Sequence, residues 1–206
     1  IPVMRRTSHP HGSVSRGFRS GGFNGSAPPI EADATGGGNK FAAETVTDIE
    51  AGFKYLGAVL DRPATLNVAL YRQWVDDVQR IEFPDPPGPV ASIAVTANVP
   101  EMEVQGIEVE ASIAATDWLE LGASGAYTDA EFTDGNVTLF GVHYSYSPVA
   151  NTPETSGVLW AQIEFPSDGT IGELRLRGEM YTQSSMYFSN TGDSIGADTK
   201  LPSYEL

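Results

Sequence analysis

From Ile107 the apolar residues of this chain fall on every second position: Ile107, Val109, Ala111 and Ile113. Glu108, Glu110, Ser112 and Ala114 stand between them. After a short polar turn at Thr116 and Asp117 the alternation resumes with Leu119, Leu121, Ala123, Gly125 and Tyr127, interleaved by Glu120, Gly122, Ser124 and Thr128. A period of two on both sides of a tight turn is the pattern of a β-hairpin. Each arm holds about ten residues, long for a soluble strand and enough to cross a bilayer at a tilt. A face carrying Glu108, Glu110 and Glu120 cannot meet hydrocarbon. It must meet water, and in a membrane-spanning sheet that water lies inside a barrel.

The pattern recurs along the chain. Strands are predicted at 9–18, 48–55, 66–80, 155–165 and 173–182, with a last one opening at 202–206. The cleanest alternation sets Leu174, Leu176, Gly178 and Met180 against Glu173, Arg175, Arg177 and Glu179. Residues 72–80 carry charge on both faces and are expected to stand above the membrane. Short turns near Asp61, Asp117 and Asp168 alternate with long connections at 21–45, 83–99 and 133–151. The second of these holds the run PDPPGP, which a strand interior rejects. Short turns on one side and long loops on the other belong to outer-membrane barrels. The expected fold is all-β, an antiparallel up-and-down meander of about eight long strands forming part of a transmembrane β-barrel. Trp118 beside a short turn would sit in one aromatic girdle, and Tyr127 and Phe132 in the other.

Composition narrows the function. With 27 acidic and 12 basic residues the net charge is -15, which excludes sequence-independent binding to nucleic acid. There is no cysteine, hence no disulfide and no thiolate metal site. No catalytic constellation is visible, so the chain is not read as an enzyme and no cofactor is implied. His9 and His11 have the spacing of a metal pair but no acidic neighbour in sequence, and no metal site is expected there. His143, Tyr144 and Tyr146 lie in a long loop, where they are either ligand contacts or a solvated tip. Glu108, Glu110, Arg175 and Arg177 are expected to face the lumen. They either guide a charged ligand or neutralise one another across strands.

Three tracts carry a resemblance. SRGFRSGGFNG from Ser15, FAAETVTDIEAGFKYLG from Phe41 and VQGIEVEASIAATDWLELGASGAYTDAEF from Val104 follow in that order, and Asn151-Thr152-Pro153 opens the next strand. Glu50, Gly52, Phe53 and Lys54 stand in the second tract, and Gly106, Glu108 and Glu110 in the third. Together they resemble the TonB-dependent outer-membrane receptors of the iron-siderophore branch. The resemblance implies uptake of a scarce nutrient, a ferric siderophore above all, captured by the long loops. It also implies outer-membrane lipid around the barrel, an N-terminal plug in the lumen, and a TonB energy-coupling complex that pulls on that plug. Residues 1–206 are then expected to be an internal segment of one barrel domain, with plug and closing strands elsewhere. Residues 1–11 lie outside the resemblance.

Two other classes remain open at this level. A soluble extracellular β-sandwich would turn each charged face outward and bury each apolar face against a second sheet. A passive porin would share the barrel wall. Ile107, Val109, Ile113, Leu119, Leu121, Leu159, Ile163, Leu174, Leu176 and Met180 should share one face, and Glu108, Glu110, Glu120, Glu164, Arg175 and Arg177 the other.

Overall fold

The computed structural model of the chain describes residues 7–25, 27, 39–83, 94–139, 142–165 and 172–190. The strands are β1 (Thr7–Arg19), β2 (Gly22–Phe23), β3 (Lys40–Phe41), β4 (Glu44–Val59), β5 (Arg62–Glu82), β6 (Val95–Ala114), β7 (Leu119–Asp134), β8 (Asn136–Leu139), β9 (Val142–Ser145), β10 (Thr155–Phe165) and β11 (Leu174–Gln183). Seven of them form one sheet in the order β1-β4-β5-β6-β7-β10-β11, every pair antiparallel. Among the described residues only the small β2–β3 and β8–β9 ribbons interrupt chain order. This is the expected meander. The turn at Asp168 and the strand at 202–206 lie outside the described residues. β1 starts at Thr7 and stays in register with β4 from Thr7↔Leu56 onward, so residues 7–11 belong to the wall despite the atypical sequence.

The register sorts side chains as the alternation requires. Val68 faces Val109, Val109 faces Gly125, Ile113 faces Leu121, Leu119 faces Ile163, and Ile163 faces Leu176. Directly opposed residues project from the same side, so these define one continuous apolar face. Glu110 with Ser124, Glu120 with Gln162, Gln162 with Arg177, and Glu164 with Arg175 define the other. Among the described residues no second sheet covers the apolar side. Leu70, Leu159, Leu174 and Leu176 are each more than half exposed. A single sheet with so large an uncovered apolar face is stable only where hydrocarbon replaces water.

The apolar set also drifts. Its upper edge lies at Ile49 on β4, at Leu70, Ile107 and Tyr127 on the next three strands, and at Leu159 and Met180 on the last two. That is six residues over five strand steps, which at a ~3.3 Å rise and ~4.8 Å spacing is a strand tilt of about 40°, as barrel closure requires.

On the polar face three glycines sit under rings from the neighbouring strand. His11 lies over Gly52, Tyr71 over Gly106, and Trp160 over Gly122, and each is a direct cross-strand pair. A Cβ at any of the three would collide with the ring, and at Gly106 with the backbone carbonyl of Tyr127 as well. Covering a strand glycine with an aromatic pins register. Gly106→Val should therefore destabilise the barrel by about 1–3 kcal/mol. The check is the fraction of full-length protein that keeps its heat-modifiable mobility on a gel.

Above the apolar band β5 and β6 run on together, and their faces change over. Asp77 is left-handed (φ 55), and the ladder skips it between Asp76↔Glu101 and Val78↔Val99. Its opposite number, Pro100, has no N–H to donate. Val75 and Val78, three apart, consequently share one cluster, as do Val99 and Met102. This extension changes the expected loop at 83–99: β6 begins at Val95, because Val95, Ala97 and Val99 find an apolar partner in the β8–β9 segment.

Candidate functional site

The polar face forms a shallow bay of about 520 Å³ between β1 and β11. His11, Glu50, Lys54 and Asn67 stand on one side, Tyr181 on the other, and Glu108 and Glu110 on its floor. His11 Nε2 lies 3.2 Å from Glu50 Oε1, so the acidic neighbour that the sequence around His11 lacks comes from the adjacent strand. Among the described residues no cluster of three metal-ligating side chains forms. Asn67 donates to Glu110 (3.1 Å). Arg175 reaches Glu164 (2.8 Å) and Glu173 (3.1 Å), and Arg177 reaches Glu179 (3.3 Å) while stacking over Trp160 at 4.2 Å. Glu108, Glu110, Arg175 and Arg177 thus share the polar side of the sheet. The two arginines are consumed in a local ladder, and such exposed pairs contribute little each.

Among the described residues the two buried apolar clusters lie at the end of the long connections. Val75, Val78, Val99 and Tyr146 form one buried cluster, with Phe132, Met102 and Tyr144 against it. Tyr146 is 3% exposed, its ring is 5.3 Å from that of Phe132, and its hydroxyl donates to Glu82 Oε1. Burial first, and the Glu82 carboxylate second, push its ionisation above the ordinary tyrosine range. Arg80 stands over the Phe132 ring at 5.7 Å, and burial lowers its pKa. Of the three loop candidates, His143 is exposed on β9, Tyr144 is half-buried, and Tyr146 is a packing anchor. Phe132 faces this cluster and so leaves the outer girdle to Tyr127, which is 47% exposed on the apolar side. An unfolded chain can lose the tyrosine proton near pH ~10, whereas the folded cap retains it. Cap stability should hold below pH ~10 and fall as pH rises past it. Following tyrosinate absorbance through an alkaline titration would check this.

A family profile described as TonB dependent receptor-like, beta-barrel, matches residues 8–206. The chain belongs to the TonB-dependent receptor β-barrel family. It is 31% identical over 149 residues to the ferrichrome outer membrane transporter/phage receptor of Escherichia coli K12, across 72% of this chain and 18% of that protein. The crystal structure of the ferric yersiniabactin uptake receptor of Yersinia pestis superposes with a TM-score of 0.66 at 18% identity, over 96% of this chain and 26% of that one. The chain therefore spans under a fifth of the curated relative and about a quarter of the solved barrel. Membership places this wall in the bacterial outer membrane. The family is one of receptors and transporters.

Sequence reasoning about this TonB-dependent barrel missed three things. Ring-over-glycine pairs are invisible without register. The burial of Tyr146 depends on the face change at Asp77. Gln79, Asn98 and Asn24 hold the β2–β3 ribbon against the wall, through bonds that only the register brings within reach.

Proposed function

We propose that the complete protein is an outer-membrane receptor that takes up a ferric siderophore, energised by a TonB complex acting on a plug domain outside these 206 residues. The observation that carries this reading is the tilted, single-layer wall with an exposed apolar side and a charged side, in a chain that matches the receptor barrel along nearly its whole length. On this reading Glu108, Glu110, Arg175 and Arg177 line the lumen and face the plug. His143 is the exposed cargo contact, and Tyr144 and Tyr146 support it from behind. The barrel breaks no covalent bond; it binds, orients and admits.

Deleting the gene in its bacterium should abolish uptake of radiolabelled iron from the cognate chelate under iron starvation, and the full-length gene should restore it. Dissipating the proton gradient should stop the restored uptake. Uptake that continues without a gradient would mark a passive pore and overturn the proposal.

A further inference from the structure

The turn that leaves strand β2 carries a reactive dipeptide that the uptake reading does not use. Asn24 is followed by Gly25, and Gly25 is exposed. β7 pairs with β6 no further than Glu101↔Asp134, and at Thr96 the Asn24 side chain takes the place of a strand neighbour. Its Nδ2 donates to the Thr96 carbonyl (2.8 Å) and its Oδ1 accepts from the Thr96 N–H (2.7 Å). The backbone is tied on both sides as well. Asn24 N–H donates to the Asn39 carbonyl, and Ala27 N–H donates to the Asn24 carbonyl (3.1 Å). Ala27 is buried with Val95, Ala97 and Leu139. Asn24 therefore latches the chain where it passes round the edge of β6, from the side of Gln79 and Asn98 to the side of Val95 and Ala97.

An asparagine followed by glycine is open to attack by the backbone on the side chain, because glycine brings no side chain to block the approach and its backbone turns most freely. The Gly25 nitrogen bonds to Asn24 Cγ and gives up its proton. The Cγ–Nδ2 bond breaks, and ammonia leaves with that proton. Water then opens the cyclic imide at either carbonyl, giving aspartate or isoaspartate. In the folded chain both ends of the Asn24 amide are engaged by Thr96. The ring closes only after both bonds open, so the rate follows the population of the open form.

We infer that Asn24 is a deamidation site that Thr96 holds in its amide form, and that its conversion unlatches the β2–β3 ribbon. The product is a carboxylate at neutral pH. It has no proton for the Thr96 carbonyl and sets a charged oxygen against it. The isoaspartate form also lengthens the backbone between the bonds to Asn39 and Ala27. The step is irreversible in water and leaves the long strands of the sheet untouched, which makes it a slow, local clock on the rim of the wall.

The test ages the purified full-length receptor in mildly alkaline buffer, folded in detergent and unfolded in urea. Peptide mass mapping reads Asn24, with aspartate and isoaspartate separated. Both products should form at Asn24, at least about tenfold faster in urea than in the fold. Gln79→Ala removes the bonds to the Ser20 and Ala42 carbonyls (both 3.0 Å) without touching Asn24, and should speed conversion in the folded receptor about fivefold. Gly25→Ala should slow conversion in urea, and a methyl there meets no neighbour in the fold. Asn24→Asp, the product itself, should accelerate hydrogen exchange at 22–23 and 40–41 while 107–113 stays protected. Heat-modifiable mobility selects the folded protein in each case, and Asn98→Ala replaces Gln79→Ala if the latter does not fold. Equal rates in urea and in the fold overturn protection by Thr96, as does an unchanged rate in the loosened ribbon. Conversion that Gly25→Ala does not slow overturns the backbone attack. Unchanged exchange in Asn24→Asp overturns the unlatching.

Discussion

Leu176→Arg in the full-length receptor is expected to lower folding stability by about 2–4 kcal/mol if the site lies near the bilayer midplane. Leu176 opposes Ile163 on the apolar face and is 59% exposed. A guanidinium there must shed its hydration or drag headgroups inward. Arg177→Leu, one residue along, should cost far less. Arg177 sits on the water-facing side, exposed, and gives up a surface pair to Glu179 and a stack on Trp160. Refolding into vesicles under a urea gradient measures both. Because packing loss alone could penalise Leu176→Arg, Leu176→Cys supplies an independent readout: a label there should be quenched by spin-labelled lipid chains and shielded from water-soluble thiol reagents. Comparable costs for the two charge changes, or no lipid quenching at 176, would contradict the orientation of the wall.

Tyr146→Ala should cost about 3–5 kcal/mol in the cap, the range for emptying an aromatic site in a packed core. It removes the ring that fills the space among Val75, Val78, Val99 and Phe132, and it strips Glu82 of its donor. The damage should stay local, because the membrane-spanning part of the sheet shares none of these contacts. Hydrogen exchange at 136–139, 142–146 and 95–99 should accelerate strongly while 107–113 stays protected. Tyr146→Phe separates the two contributions: it keeps the ring, loses one hydrogen bond, and should cost about 1 kcal/mol. If the residue instead contacted cargo directly, Tyr146→Phe would weaken binding without loosening the cap.

Much of the wall was legible in advance because lipid enforces a strict rule. At Leu174 to Met180 every second residue must satisfy hydrocarbon, so composition alone announces which way each side chain points. The same rule set the turns at Asp61 and Asp117 on one end and the long connections on the other, since an antiparallel meander permits nothing else. It failed at Phe132, read as a lipid-interface aromatic, and at 83–99, read as a loop through Val99. Both lie above the band, where water surrounds the sheet and alternation no longer carries information about what covers each side. The pairing of His11 with Glu50 was hidden for a different reason: the two are far apart in sequence and meet only through register.

By itself, then, the sequence determined the fold class, the sorting of apolar and charged residues onto two sides of the sheet, and the ends at which turns and loops emerge. A period of two and an intolerant solvent leave no other solution. The tertiary structure alone decided what happens where that solvent ends. The left-handed Asp77 opposite Pro100 shifts the alternation by one, turns Val78 and Val99 onto the side of Val75 and Met102, and buries Tyr146 there. Long-range amide bonds from Gln79, Asn98 and Asn24 then fix a ribbon that displays Phe23 beside Lys40. Such contacts depend on which strands are neighbours and in what register, and no local pattern of residues encodes that.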